Sequence, residues 1–358
     1  MPKQDIYRAA LVGCGRIGGF IDNEVMDNPA IVRPYSHAAG YAFVDRTALV
    51  ACSDTQDESL HLLGETYGVA PDHRYSDAKE MILRERPDIV SVATQPEHRA
   101  DITTFAAQNG ARAIYCEKPL AASLAEADEM IDAIRANDVA FNMGTNRRWH
   151  PSFQKMAKVI ASGDIGALQA IVVYFNGTLF NTASHAFDLI CLLNGDAPVS
   201  CVKADLESDE LPLDGSRILA EPKARATVQF SNGVSGHLIP TSRGTECEAI
   251  CTGGTVASLN NGLEWQVRRR SETGLAPGTF PSVEPYSPTA RLIEDLVHSL
   301  DTGEPTVGGV EKARTNLEIL FACVESHVQN GARIPLPLIA SEYRLDRDTT
   351  PKPIRPPS

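Results

Sequence analysis

The sequence predicts an α/β protein with two domains: a doubly wound parallel sheet, followed by an α+β domain with a large, mostly antiparallel open sheet. The chain has 358 residues, which at roughly 100–200 residues per domain indicates two domains. Up to Asn146, short apolar runs alternate with amphipathic stretches, as strands and helices do in parallel sheets. After Asn146, longer strands joined by hairpin signals replace this pattern.

The strands of the first domain are predicted from apolar runs, because a parallel sheet covered by helices buries both faces of each strand. The runs lie at residues 9–12, 48–52, 88–93, 113–116 and 139–143. The amphipathic segments between them lie at 57–67, 77–84, 99–109 and 124–136. Residues 20–34 contain two prolines and several acidic residues where the first helix is expected, and we interpret them as an inserted loop.

The second domain is predicted from hairpins and two late helices. Its strands are expected at 167–175, 225–230, 234–240, 248–251, 255–259 and 263–269. Ser287, followed by Pro288, marks the start of one helix. An apolar stripe marks the other helix and comprises Leu317, Leu320, Phe321, Val324 and Val328. We divide the chain into residues 1–146, residues 147–340 and a proline-rich tail at 341–358, which is either a loose end or an arm that packs on another subunit.

The composition argues against several classes of partner. The chain has 33 basic and 46 acidic residues and a net charge of −13, which disfavours nucleic acid and anionic membranes. The eight cysteines lack metal-ligand spacing, so we expect no metal, and buried free thiols fit the reducing cytoplasm. No apolar run reaches ~18 residues, and the first strand begins too early to leave room for a signal peptide. We expect a cytoplasmic protein.

A glycine-rich motif follows the first predicted strand. Gly13, Gly15 and Gly18 form G-x-G-x-x-G, with Arg16 and Ile17 between the last two glycines. In a dinucleotide-binding Rossmann domain the first glycine allows a tight turn, the second lets pyrophosphate approach the backbone, and the third lets helix and strand pack closely. The phosphates then lie at the helix N-terminus. The motif predicts a dinucleotide site.

Asp54 ends the second predicted strand, where an acidic residue binds the ribose hydroxyls in such domains. Its separation from the glycines exceeds the usual ~20 residues, and the insertion at 20–34 explains the difference. A carboxylate here repels a 2′-phosphate, and no arginine follows, so NAD is favoured over NADP. Alternatively, Asp54 only caps the following helix.

Two further strands end in residues suited to a ligand site, because the carboxyl ends of parallel strands face the ligand crevice. Lys118 follows Glu117 and precedes a proline, which holds the lysine backbone extended. Thr94, Gln95 and His98 follow the third strand, near the expected nicotinamide position. His98 alternatively marks only the start of a helix.

These motifs resemble those of one enzyme family when they are taken with three longer segments. The segments are "ATQPEHRADITTFAAQNGARAIYCEKPLA", "GTNRRWHPSFQKMAKVIASGDIGAL" and "NTASHAFDLICLLNGD". In order, from about Arg8 to Pro337, the chain resembles the glucose-fructose oxidoreductase, inositol dehydrogenase and MocA family. The resemblance implies a Rossmann domain, a mostly antiparallel α/β domain, and oxidation or reduction of a sugar or cyclitol carbon with NAD or NADP. It also implies a homodimer or homotetramer formed through the second sheet.

The resemblance assigns site residues by position. Lys118 matches the lysine that touches the reacting hydroxyl, His185 matches the histidine of an Asp-x-x-x-His pattern, and Asp188 matches the acid three residues further on. Asn181 stands where the aspartate is usual, which puts a carboxylate–histidine couple in doubt. We expect His185 to be the base, Lys118 to stabilise negative charge on the hydroxyl oxygen, and Asn181 to position the hydroxyl or the imidazole.

Arg147, Arg148 and Trp149 lie where the chain enters the second domain, and the arginines could bind a carboxylate or phosphate of the substrate. The resemblance also allows a structural Arg148. The sequence thus predicts an NAD-dependent dehydrogenase acting on a secondary alcohol of a small-molecule sugar, sugar derivative or cyclitol. Two alternatives are a lyase or glycoside-cleaving enzyme with tightly bound NAD, and a non-catalytic dinucleotide-sensing regulator. Lys118 and His185 together argue against the regulator.

Overall fold

The computed structural model describes residues 5–207, 213–338, 340–347 and 354. These residues form two units: one contains residues up to Asn146 with Tyr286–Arg314, and the other contains Arg147–Pro285 with Thr315–Arg347. Residues 286–314, which the sequence-based division assigns to the second domain, therefore group with the first unit. The division at 147 and 341 otherwise stays a prediction. Of the proline-rich tail, most lies outside the described residues.

The first unit contains a parallel sheet. Its strands are β1 (Tyr7–Val12), β2 (Thr47–Ser53), β3 (Arg74–Tyr75), β4 (Ile89–Val92), β5 (Ala113–Cys116) and β6 (Ala140–Met143). Their order is β3-β2-β1-β4-β5-β6, and every neighbouring pair is parallel. The order reverses at β1, so a ligand crevice is expected at the carboxyl ends of β1 and β4. The predicted doubly wound sheet is confirmed.

The helices of this sheet are α1 (His37–Phe43), α2 (Asp57–Tyr67), α3 (Ala78–Glu85), α4 (Pro96–Gln108) and α5 (Leu124–Ala136). Their starts follow capping chemistry: Ser36, Asp77 and Ser123 each accept the backbone N–H three residues on. After the glycines the chain forms a π-turn (Arg16–Phe20) and a 3₁₀-turn (Ile21–Asn23), and α1 begins only at His37, after the residues interpreted as an inserted loop.

The second unit contains a larger sheet, the helices α6 (Pro151–Ala161) and α7 (Ser184–Leu193), and residues 315–328 of a later helix. Its strands are β7 (Leu168–Phe175), β8 (Val199–Leu206), β9 (Leu213–Asp214), β10 (Arg217–Ile218), β11 (Ala224–Phe230), β12 (Ser235–Pro240), β13 (Glu246–Cys251), β14 (Gly254–Leu259), β15 (Glu264–Ser271), β16 (Gly274–Gly278), β17 (Ile334–Pro335) and β18 (Arg344–Leu345). Among the described residues, nine strands pair in the order β16-β15-β14-β13-β7-β12-β11-β8-β17. Only β7 and β12 pair in parallel within that order, which confirms the mostly antiparallel sheet. A separate small sheet has the order β18-β10-β9.

The two late helices are α8 (Pro288–Thr302) and α9 (Val310–Val328). Ser287 Oγ accepts the Ala290 N–H at 3.0 Å, and Pro288 occupies the first turn, as the sequence predicts. The predicted stripe of α9 is buried except at its end, where Val328 is 44% exposed. Within the described part of the chain, no helix is both long and apolar enough to cross a membrane.

Candidate active site

The turn after β1 carries the three glycines of the motif, and each has a different reason to be glycine. Gly13 has φ +97°, and a Cβ there would lie 2.9 Å from the carbonyl of Ala93, just after β4. A Cβ on Gly18 would overlap the carbonyl oxygen of Gly13. At Gly15, no atom of the described residues comes within 4 Å of a Cβ position. The turn is therefore open at the glycine that the motif assigns to the pyrophosphate.

Arg16 and Ile17 begin the π-turn that follows Gly15. Arg16 Nε donates to Glu24 Oε2 at 2.6 Å, so its guanidinium is paired within the unit. The N–H groups at the start of a helical turn have no acceptor four residues earlier. The predicted cofactor contact of these two residues, which stays a prediction, therefore falls to their backbone N–H groups rather than to the Arg16 side chain.

Asp54 connects the glycine turn to the start of α2. Its Oδ2 accepts the Cys14 N–H at 2.7 Å, and its Oδ1 accepts the Gln56 N–H at 2.8 Å. The second bond matches the helix-start alternative, and the first places the carboxylate against the glycine turn. A carboxylate oxygen accepts more than one hydrogen bond, so both oxygens keep capacity for ribose hydroxyls.

The segment after β4 brings Thr94 to the glycine turn, where a Cβ on Gly13 would lie 3.2 Å from the Thr94 nitrogen. Among the described residues, nothing hydrogen-bonds the buried Thr94 Oγ1. A buried hydroxyl without a partner costs free energy, so this atom fits a site completed by a bound molecule. Gln95 precedes α4 and is exposed, and His98 is exposed in its first turn.

Arg99 is a site residue that the sequence analysis missed. It lies on α4 with 4% of its surface exposed. Its Nη2 donates to the Thr94 carbonyl at 2.5 Å, and its Nη1 donates to the Pro119 carbonyl. One buried guanidinium thus joins the loop after β4 to the loop after β5. A basic residue in the first turns of a predicted helix was the available signal.

Lys118 follows β5 and is half-buried, and its backbone is held by buried polar groups. The Lys118 N–H donates to Glu117 Oε2 at 3.1 Å, while Glu117 Oε1 lies 3.3 Å from His37 Nε2. The other ring nitrogen of His37 lies 2.6 Å from Ser91 Oγ, and the ring stacks on Tyr115 with centroids 3.8 Å apart. His37 follows the inserted loop, and the sequence analysis did not select it.

Glu117 is 4% exposed, and its ionisation follows from its neighbours. Burial raises the pKa of Glu117, but hydrogen bonding and positive charge from His37, with the charges of Lys118 and Arg99, outweigh burial and hold the pKa below its ordinary value. A Cβ on Gly144 would lie 2.5 Å from Glu117 Oε1, so glycine at 144 makes room for the carboxylate. Glu117 is therefore a carboxylate at neutral pH, directly before Lys118.

In the second unit, Asn181 and His185 lie on consecutive helical turns. Asn181 is exposed on a π-turn, Leu179–Ala183, and His185 is half-buried in the first turn of α7. The Asn181 N–H donates to Glu221 Oε2 at 2.7 Å, and the Leu179 N–H donates to the Pro222 carbonyl at 2.8 Å. Glu221 was not selected from the sequence, because nothing in its local pattern marks a long-range contact.

The three residues predicted to bind substrate at the domain entry differ in burial. Arg148 is 1% exposed, and its Nη2 donates to Asp188 at 2.8 Å and to Asp196 at 2.9 Å. Burial lowers the pKa of Arg148, but the two carboxylates outweigh it and raise the pKa above its ordinary value. These contacts match the structural alternative and argue against a substrate contact for Arg148. Trp149 is also buried, so Arg147, which is half-buried, is the better candidate of the three.

The fold and the glycine turn define the class of protein. Residues 7–145 match the model of the GFO/IDH/MocA oxidoreductase family, which has an NAD-binding Rossmann fold. The resemblance drawn from the sequence motifs is confirmed for this part of the chain.

Two curated relatives are named as dehydrogenases. A D-apiose dehydrogenase from Paraburkholderia graminis is 32% identical over 161 residues, which cover 45% of this chain and 38% of the relative. A myo-inositol 2-dehydrogenase from Thermotoga maritima is 25% identical over 258 residues, covering 66% of this chain and 68% of the relative. The first alignment thus spans well under half of the relative's length.

A solved structure is similar over nearly the whole chain. A levoglucosan dehydrogenase in complex with NADH and levoglucosan has a TM-score of 0.77 and 19% identity, covering 94% of this chain and 100% of its own. At this identity the similarity shows the fold alone, including the antiparallel sheet that follows the Rossmann unit.

Proposed function

We propose that this chain is an NAD-dependent dehydrogenase that transfers hydride between nicotinamide and a secondary alcohol or ketone of a sugar, sugar derivative or cyclitol. The observation that carries the proposal is the glycine turn, which is open at Gly15 and bounded by the Asp54 carboxylate and by the Thr94 hydroxyl, for which the described residues provide no hydrogen-bond partner. The family match and the names of the relatives support the same class.

The choice of NAD over NADP rests on charge at the end of β2. The Asp54 carboxylate lies against the glycine turn, and Thr55 and Gln56 follow it instead of an arginine. A 2′-phosphate on the ribose would meet this negative charge, and neither of the two residues that follow Asp54 supplies a cation. Asp54, Thr94 and the N–H groups after Gly15 would hold the cofactor, and Gln95 and His98 are further candidates.

The cofactor supplies a carbon that accepts or donates hydride, and the protein handles the proton and the charge. In this proposal the Lys118 ammonium donates a hydrogen bond to the substrate oxygen and stabilises its developing negative charge. His185 takes the hydroxyl proton, for which an ordinary imidazole pKa of ~6.5 is suitable. Asn181 orients the hydroxyl or the imidazole without carrying charge, and Arg147 contacts the rest of the substrate.

We also propose a homodimer or homotetramer that pairs through the nine-stranded sheet. Buried and half-buried residues alternate along β7, β12 and β13, so one sheet face is covered within the unit and the other is not. Light scattering with size-exclusion chromatography tests this state. We propose the cytoplasm as the location, because the described cysteines are free thiols and the cytoplasm is reducing.

The test is absorbance at ~340 nm, where reduced nicotinamide absorbs, with purified protein, NAD or NADP, and a panel of aldoses, glycosides, sugar acids and inositols. A rise with one substrate class, and none with the Lys118→Ala variant, identifies a dehydrogenase. No rise across the panel would contradict the proposal. Nucleotide released on denaturation would then favour the bound-cofactor lyase, and substrate consumed without NADH would separate that lyase from a sensor.

A further inference from the structure

The segment that carries Asn181 and His185 is held by a carboxylate from elsewhere in the second unit. Glu221, in the loop between β10 and β11, places Oε2 within 2.7 Å of the Asn181 nitrogen and 2.5 Å of Thr178 Oγ1. The Glu221 side chain is 8% exposed. One carboxylate oxygen thus accepts hydrogen bonds from the residue before the π-turn and from its third residue.

The other oxygen of Glu221 is paired with Arg347, which follows β18. Arg347 Nη1 donates to Glu221 Oε1, and the Arg347 side chain is 13% exposed. Arg347 reaches this position because β18 pairs in parallel with β10 and the Asp346 N–H donates to the Ile218 carbonyl at 3.0 Å. The small sheet therefore brings the carboxyl-terminal segment to the loop that holds Asn181.

A π-turn needs such outside contacts more than an α-helix does. π-turns are rare, occur as single turns, and are frequent at functional sites. The N–H of Asn181 is near the start of the turn, where backbone donors have no acceptor four residues earlier. Because a buried carboxylate is costly unless its charge is compensated, Glu221 depends in turn on its donors and on Arg347.

We propose that Glu221 is a positioning residue that fixes the backbone of the Asn181–His185 segment, and that Arg347 of the carboxyl-terminal segment holds Glu221 in place. This inference deepens the proposed function and rests on it for the kinetic measurements. Glu221 contacts neither substrate nor cofactor in this proposal, and it acts by directing the exposed Asn181 side chain and the first turn of α7. The residue that follows the last strand of the second unit thereby influences the candidate catalytic segment.

The experiment compares hydrogen exchange of a peptide covering residues 178–185 in full-length variants. Glu221→Ala removes both hydrogen bonds, and we expect exchange there to accelerate about tenfold or more. We also expect kcat to fall roughly tenfold while NAD affinity stays unchanged, since small misplacement of catalytic groups lowers turnover. Glu221→Gln keeps an oxygen acceptor for Asn181 and Thr178. We expect this variant to recover most of the slow exchange at residues 178–185 and most of the parent's kcat.

Arg347→Ala leaves Glu221 in place without its cation and is expected to accelerate exchange at 178–185 by a smaller factor. Arg269→Ala is the matched control, because Arg269 Nη1 donates to the Asp164 carbonyl at 3.1 Å from β15 of the nine-stranded sheet, outside the small sheet. Hydrogen exchange at residues 178–185 in this control should match that of the parent. Arg347→Ala, compared with this control, tests the anchor even where Glu221→Ala fails to fold.

Unchanged exchange at 178–185 in a folded Glu221→Ala variant overturns the inference, whatever the activity. If Glu221→Ala does not fold, parent-like exchange in Arg347→Ala overturns it instead. A parent protein that forms no NADH with any substrate contradicts the proposed function, while the exchange data still decide the role of Glu221. If kcat falls in Glu221→Ala and recovers in Glu221→Gln, the result supports a positioning role for Glu221 over a general loss of stability.

Discussion

Two loops that carry candidate catalytic residues are stabilised in different ways. In the first unit, the loop with Lys118 is supported by buried charged groups: Arg99 bonds two backbone carbonyls, and Glu117 pairs with His37 behind the lysine. In the second unit, the segment with Asn181 depends on Glu221, which comes from a separate loop. The lysine is thus fixed by the core of its own sheet, whereas the asparagine is fixed by a peripheral contact.

This difference has an energetic consequence. Removing one partner of a buried ion pair leaves an uncompensated charge and typically costs ~3–5 kcal/mol of stability. The Lys118 loop can therefore change only at a cost to the whole unit. The Glu221–Arg347 pair is also largely buried, so substituting either residue has a cost as well, but that cost falls on a loop and on the small sheet rather than on the core of the parallel sheet.

Lys118→Ala gives the largest expected effect on activity. Without the ammonium, developing negative charge on the substrate oxygen loses its hydrogen-bond donor, and kcat should fall by ~10²-fold or more. NAD affinity, measured by fluorescence titration, should remain near that of the parent. Lys79→Ala, which removes an exposed lysine paired with Asp101, is the control. A Lys118→Ala variant as active as the parent would remove this lysine from the mechanism.

Two glycine substitutions separate folding from nucleotide binding in the first unit. Gly18→Ala places a Cβ against the Gly13 carbonyl and should lower the free energy of unfolding by about 1–3 kcal/mol. Gly15→Ala meets no described atom within 4 Å, so its Tm should match the parent while its NAD affinity falls. Thermal melting and NAD titration check both. Equal NAD binding by Gly15→Ala and the parent would contradict a pyrophosphate at this turn.

Glu117→Gln tests whether the Lys118 loop depends on buried charge. Since the pKa of Glu117 is held below its ordinary value in the folded state, the carboxylate stabilises the fold above the unfolded pKa of ~4.3. That stability is lost as the pH falls through the lower folded pKa. At neutral pH the variant should be less stable by about 1–3 kcal/mol.

The measurement is urea unfolding of parent and variant from neutral to acidic pH. The difference in unfolding free energy should be constant near neutrality and shrink in acid below the ordinary carboxyl range, because protonated Glu117 resembles glutamine. A difference that is the same at all pH values would show that folding does not change the pKa of Glu117, which contradicts the lowered pKa. Other carboxyl groups titrate equally in both proteins and cancel in the comparison.

Sequence patterns predicted those parts of the molecule that depend on residues close together in the chain. The runs that became β1, β4 and β5 are apolar because the sheet is covered on both faces, and the glycine turn has a fixed spacing. His37 and Glu117 are 80 residues apart, and Asn181 and Glu221 are 40 apart, so their pairing depends on tertiary packing that no local pattern encodes.

Two further differences have the same cause. Residues 286–314 follow the second sheet in the chain, and a sequential division assigned them there, but they group with the first unit. Asn142 Nδ2 donates to Asp295 at 2.8 Å, a contact across 153 residues that ties α8 to β6. For Arg148 the sequence left both a substrate contact and a structural role open, because its two carboxylate partners lie 40 and 48 residues further along the chain.

Asp54→Asn should have a smaller effect, because asparagine keeps an oxygen that can accept the Cys14 N–H but loses the negative charge. We expect the preference for NAD over NADP, measured as the ratio of kcat/KM, to fall roughly tenfold. Asp57→Asn, a neighbouring carboxylate in the first turn of α2, is the control. Unchanged discrimination would contradict the ribose assignment and leave Asp54 with its helix-start role alone.

Asn181→Asp should change the pH dependence of activity more than it changes the maximum activity. Asn181 and His185 are four residues apart on consecutive helical turns, a spacing at which side chains on helices interact. A carboxylate there favours the charged imidazole, so the pKa of His185 should rise and the acid limb of kcat/KM should move to higher pH by up to about one unit. Turnover in alkaline solution should change little, since His185 is neutral there in both proteins.

Gln169→Glu adds the same charge at an exposed position of β7 and should leave the acid limb unchanged. A shift with Asn181→Asp alone would show that the asparagine keeps His185 neutral, and therefore basic, over a wider range of pH than an aspartate would. If both variants have the parent's pH profile, residue 181 does not affect the pKa of His185. The Asn181 amide then contacts the substrate hydroxyl or has no role in the reaction. A fixed π-turn is required for the first result, because a mobile Asn181 backbone would weaken any defined interaction with the imidazole.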